Sequence, residues 1–150
     1  MKADNVILMP EAPRPRQAMR FQAHVIDLGI AGVRGVDTGE PDLTPAGWSM
    51  TGLYHATPEQ LAGERGDHRV DVYAAGVLLY RMLSGRAPFA GENVSEICRR
   101  TREEKPAPLR AYRQDVPGPL EAAVMRALDK DPERRFESAT AMSDALLPRP

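Results

Sequence analysis

The sequence predicts an α+β chain, mostly α: two short strands near the N-terminus, a long loop, then four or more helices. Three observations predict it. Residues 70–83 are apolar on almost every side, so they form a buried helix; the run is too short for a bilayer, which takes about 20 residues. Leu120, Ala123, Val124, Ala127 and Leu128 fall at i, i+3, i+4, i+7 and i+8, one face of a second helix. Val6 to Met9 and Ala23 to Ile26 are short apolar runs of strand length.

The elements follow in order. The two strands could pair as a hairpin across Pro10 to Gln17, a basic, proline-rich stretch that reads as a solvated insertion rather than a docking segment. Asp27-Leu28-Gly29 closes the second strand. From Ile30 to Thr57 little periodicity is found, and glycine recurs at 32, 35, 39, 47 and 52, so a long functional or mobile loop is expected. Thr57-Pro58-Glu59-Gln60 opens a helix: a cap, a proline in the first turn and the spacing of a capping box. Caps and turns alone would explain this tetrapeptide.

The central helix should be fully covered and should stop at Ser84-Gly85. Gly76 is its weak position, excusable if a neighbour packs closely there. Asn93-Val94-Ser95-Glu96 starts a further helix with cap spacing, running to about Glu104. Cys98 lies in it as a small buried hydrophobe. Residues 106–119 read as a linker. Asp131-Pro132 ends the next helix. Ser138 caps the last, with Ala139, Met142, Ala145 and Leu146 inward.

Bulk properties exclude several classes. Charge is balanced, 20 Lys+Arg against 21 Asp+Glu, which gives no electrostatic case for nucleic acid or an anionic membrane. One cysteine rules out a disulfide framework and a Cys-rich zinc site, and fits a reducing cytoplasm. The N-terminus lacks the apolar core of a signal peptide, and no membrane-spanning segment is visible. His24, His55 and His68 have no metal-like spacing, no glycine-rich nucleotide fingerprint follows a strand, and Ser49 lies in no nucleophile elbow.

What remains is an ordered set: Lys2-Ala3-Asp4-Asn5, Asp27-Leu28-Gly29, Thr57-Pro58-Glu59, Asp71 at the start of the buried helix, Gly85-Arg86-Ala87-Pro88-Phe89 after it, and Arg135. Each is weak alone. In this order and spacing the chain resembles the protein kinase family, specifically the bacterial eukaryotic-like Ser/Thr kinases, over essentially all 150 residues. The likeness is to the second half of a kinase domain, the C-lobe from the end of the catalytic loop, with the N-lobe absent. Lys2 to Asn5 is similar to Lys-Pro-(Asp/Glu)-Asn, Asp27 to Gly29 to Asp-Phe-Gly, and Thr57 to Glu59 to Ala-Pro-Glu.

The resemblance implies a C-lobe fold with a short β-hairpin, an activation segment over 27–59 and four or more helices. It implies ATP-dependent phosphoryl transfer to Ser/Thr of proteins, with Asn5 and Asp27 as oxygen ligands of Mg2+ and Lys2 on the transferring phosphate. Gly29 belongs to the same motif as Asp27. Glu59 and Arg135 would form the buried ion pair that anchors the activation segment, and Asp71 would hold the catalytic loop. Thr38, Thr44, Ser49 and Thr51 are candidate phosphorylation sites.

Departures shape the expectation for activity. The family's catalytic loop reads His-Arg-Asp-x-x-x-x-Asn. Counting back from Asn5 puts the catalytic Asp one place before Met1, so the chain holds no catalytic base. The glycine-rich loop and strand lysine are also missing. Ala3 replaces a proline, Thr51-Gly52 stands where Gly-Thr is usual, and the first inter-strand loop is long.

The chain is therefore expected to be a truncated kinase, inactive alone, whose partners are a protein substrate and the missing N-lobe or a partner chain. The alternatives are a non-catalytic pseudokinase remnant or C-lobe binding module, and an unrelated helical interaction domain. In the family a preceding helix covers part of the central one, so an exposed, sticky apolar face is expected here.

Overall fold

A computed structural model describes residues 6–10, 21–25 and 50–146. Strands β1 (Val6–Pro10) and β2 (Phe21–Val25) pair antiparallel, with Val6 opposite Val25 and Pro10 opposite Phe21. β2 starts two residues earlier than the apolar run at Ala23, because the ladder pairs Pro10 with Phe21 and Met9 with Gln22. Proline lacks an N–H, and the end of an edge strand is where a ladder tolerates it. Lys2, Asn5, Asp27, Gly29, Thr38, Thr44 and Ser49, and with them most of segment 27–59, lie outside the described residues.

Among the described residues six α-helices follow: α1 (Met50–Leu53), α2 (Pro58–Leu61), α3 (Arg69–Ser84), α4 (Val94–Glu103), α5 (Gly118–Ala127) and α6 (Ala139–Leu146). α1, which includes Thr51, interrupts the stretch expected to be a structureless loop up to Thr57. α2 is one turn held by its ends. The Thr57 hydroxyl accepts from the Gln60 N–H, and the Gln60 side chain accepts from the Thr57 N–H.

α3 is the spine of the helical region. Tyr73, Val77 and Tyr80 point into one apolar cluster with Phe89, Leu109, Val116, Val124 and Leu128. Val72 points into another, with Ala123, Ala127, Phe136 and Met142. One helix facing two clusters is why its sequence is apolar nearly all round. Its start is set by Asp67, whose carboxylate accepts from the Arg69 N–H at 2.8 Å. Its end is set by Gly85, which takes the left-handed conformation at φ 71°.

Four expectations need correction. α3 is not fully covered: Asp71 and Arg81 are exposed and Met82 is 62% exposed, since no described element packs over that turn. Residues 106–119 are not a mere linker: a 3-10 turn over Leu109–Ala111 buries Leu109, Val116 is buried nearby, and the Ala107 carbonyl accepts from the Tyr80 hydroxyl at 2.9 Å. Cys98 is only half-buried, because Ile97 and Thr101 form the inward face of α4. In α6 it is Ala141, Met142 and Leu146 that pack inward, while Ala139 and Ala145 are exposed, because the side turned to the Ala123–Ala127–Phe136 cluster runs through 141, 142 and 146.

Gly76 carries the α3–α5 contact. A Cβ there would stand 2.9 Å from the Ala127 Cβ and 3.3 Å from the Leu128 Cδ2. Gly76→Ala gains about 1 kcal/mol of helix propensity but overpacks a dense contact at about 1–3 kcal/mol. Its melting temperature is expected to fall in thermal unfolding. Gly118→Ala, whose Cβ meets nothing within 4 Å, is expected to leave it unchanged or raise it.

Candidate functional site

Glu59 lies in the first turn of α2 and Arg135 ends the 3-10 turn Pro132–Arg134, 76 residues later. Both are buried, Arg135 to 1% exposure. Arg135 Nη1 donates to Glu59 Oε1 and Nη2 to Oε2, each at 2.8 Å, a bidentate pair. Nε donates to the Asp129 carbonyl at 2.8 Å; Nη1 also reaches the Arg69 carbonyl at 3.4 Å and Nη2 the Lys130 carbonyl at 3.3 Å. All five guanidinium N–H groups are thus directed at oxygen. The Tyr73 ring lies 4.8 Å from the guanidinium carbon. One side chain ties α2, the start of α3 and the α5–α6 connection.

The electrostatics follow from burial and pairing. Burial alone would push the Glu59 carboxyl up; hydrogen bonds from Arg135, from the backbone and from Thr57, together with the Arg135 charge, outweigh it and hold the pKa below the ordinary 4.5. Burial raises the Tyr73 phenol, and its hydroxyl has no hydrogen-bond partner among the described residues. At the rim, Arg69 is paired with Glu133 and more loosely with Asp67, and His68 Nε2 meets the Glu137 carbonyl at 2.6 Å. Asp71 is exposed in the first turn of α3.

Of the residues singled out in the sequence, the structure brings Glu59 and Arg135 together and leaves Asp71 apart from them, facing outward. Among the described residues, no group of three or more His, Cys, Asp or Glu could hold a metal, and no helix is long and apolar enough to cross a membrane. Three supports of the pair were not singled out: the carbonyls of Arg69, Asp129 and Lys130. Backbone carbonyls carry no residue-type signal, so only the fold exposes them. Tyr73 did carry one, as an aromatic inside the apolar run.

Glu59→Gln leaves a buried guanidinium without its counter-charge, a loss of about 3–5 kcal/mol at neutral pH. Because the folded carboxyl has the lower pKa, the pair's contribution is present above about pH 4.5 and is lost as pH falls through the folded value. The stabilities of the two proteins in urea titrations should therefore draw closer as pH falls through that value. Tyr73→Phe removes an orphaned buried hydroxyl and keeps the ring. It is expected to stabilise by about 1 kcal/mol, whereas Tyr73→Leu is expected to destabilise.

Comparison with known proteins places this geometry. The protein kinase domain family matches residues 1–147. Serine/threonine-protein kinase pkn3 of Myxococcus xanthus is 32% identical over 148 residues, 97% of this chain and 26% of that protein. Serine/threonine-protein kinase PknB of Mycolicibacterium smegmatis is 37% identical over 123 residues, 82% of this chain and 19% of that protein. The chain thus spans about a quarter or less of these relatives' length. The twitchin kinase region from C. elegans superposes with a TM-score of 0.59 at 26% identity, over 65% of this chain and 17% of that one. The ordered motifs, the family match and the bacterial relatives converge, and the chain belongs to the protein kinase family, among the bacterial eukaryotic-like serine/threonine kinases.

Proposed function

We propose that these 150 residues form the C-lobe part of a kinase domain that transfers the γ-phosphoryl group of ATP to Ser or Thr hydroxyls of proteins. The observation that carries the reading is the Glu59–Arg135 pair, which joins the end of the proposed activation segment to the late helices. That pair anchors the segment over 27–59, and a phosphate on Thr38, Thr44, Ser49 or Thr51 would order it by pairing with Arg.

Phosphoryl transfer rests on positioning and charge neutralisation. Asn5 and Asp27 offer the oxygen donors that Mg2+ prefers, and Gly29 belongs to the same motif as Asp27. Held there, Mg2+ would supply charge neutralisation on the phosphates. Lys2 neutralises charge on the group in transfer. Asp71 steadies the loop that carries Lys2 and Asn5. The hydroxyl proton of the substrate goes to a catalytic Asp, which these 150 residues do not contain. Transfer therefore needs an N-lobe and a His-Arg-Asp sequence supplied from outside them.

The test joins residues 1–150 to the N-lobe and His-Arg-Asp of a bacterial Ser/Thr kinase and follows phosphate transfer from labelled ATP. Transfer to Ser/Thr peptides and not to Tyr peptides is expected, and Asp27→Asn should lower kcat by about 100-fold or more. The 150 residues alone should transfer nothing. A chimera that melts cooperatively yet binds no ATP·Mg2+ would overturn the reading in favour of a non-catalytic binding module.

A further inference from the structure

The closer packing of the described helices falls into two groups. α3, α5 and α6 pack on one another around the two apolar clusters. α1 and α2 pack instead on α4. Leu53 in α1, Ala56 just before α2 and Ile97 in α4 are all buried, yet none belongs to either cluster of α3. α4 thus shares its buried side with α1 and α2, apart from the core that α3 organises.

Two side chains of one loop, residues 129–135, reach from that core to the second group. Arg135 makes its bidentate pair with Glu59 in α2. The Lys130 amine donates to the Thr101 carbonyl at 2.5 Å and meets the Arg100 carbonyl at 3.5 Å, both in the last turn of α4. The last carbonyls of a helix lack partners inside it, and an amine there acts as a cap. The same amine lies 3.5 Å from the centroid of the buried Phe89 ring, in the loop after α3. One loop therefore grips two different helices of the same group.

We propose that α1, α2 and α4 move as one plate on the α3–α5–α6 core, clasped to it by Arg135 at α2 and by Lys130 at α4. The plate opens as a unit, at a lower cost than unfolding of the core. On the reading of residues 27–59 as an activation segment, on which this consequence rests, the plate carries the end of that segment and α4 moves with it. Coupling between two sites is reciprocal. A contact that steadies α4 steadies α2, and order gained at the end of the segment is felt in α4. Lys130 is then a positioning residue for Glu59, although its amine bonds to α4 and not to α2.

Native-state hydrogen exchange of the 150-residue chain, followed with increasing urea, tests the plate. It involves no phosphoryl transfer, so its outcome is separate from that of the kinase chimera. The amides of 61–64, which bond to the carbonyls of Thr57, Pro58, Gln60 and Glu59, report on α2; those of 97–104 report on α4. In the wild type both sets should follow one opening curve, with a smaller urea slope than the amides of α3 and α5. Lys130→Met keeps an unbranched side chain and removes the amine. It should raise exchange in both sets by a common factor of about ten. Glu59→Gln should likewise raise exchange in α4 by the same factor as in α2; if that variant does not fold, the wild type and Lys130→Met decide. Separate curves for α2 and α4, a single curve shared by α4 with α3 and α5, or a rise in Lys130→Met confined to 97–104 overturns the proposal.

Discussion

A guanidinium has been taken out of water in the middle of this protein, and the structure around it is arranged so that this is tolerable. Desolvating a charge is costly, and a single carboxylate partner does not always offset it. Arg135 has that partner in Glu59, three backbone carbonyls and an aromatic face. The cost of losing any one contact makes the arrangement nearly all-or-none. α2 is a single turn that could not stand by itself, and its position is set by the charge it presents to Arg135.

The apolar packing is organised to the same end. α3 carries an apolar cluster on each of two sides, and α5 approaches it so closely that a glycine is required at 76. The close approach fixes the α5–α6 connection relative to the start of α3. That is what lets the carbonyls of Arg69, Asp129 and Lys130 converge on one side chain. Packing supplies the geometry and the ion pair gives it a polar centre that only one arrangement satisfies.

Membership of the protein kinase family gives this centre a context. The pair joins α2 to helices that come last in the chain, and the residues from Lys2 to Asp27 that resemble family motifs precede α2 in the sequence. Lys130 extends from the same connection in the opposite direction, to α4. Two long basic side chains leave that short loop in opposite directions, one with a carboxylate partner and one with none among the described residues.

The sequence by itself determined the longer helices, several of their caps and the family. An apolar run without interruption, a stripe at helical spacing, and side-chain oxygens three residues before a paired N–H are local features, and local physics decides them. Thr57, Asn93 and Ser138 cap where their spacing says they should. It also named Glu59 and Arg135, through the resemblance rather than through periodicity. Only the tertiary structure decided which side of α3 stays open at Met82, that the proline-rich stretch around Leu109 and Val116 is part of the core, and that Lys130 faces carbonyls rather than water. Those outcomes depend on which elements meet across long sequence separations. A residue's type says what it would tolerate, but not what the fold brings against it.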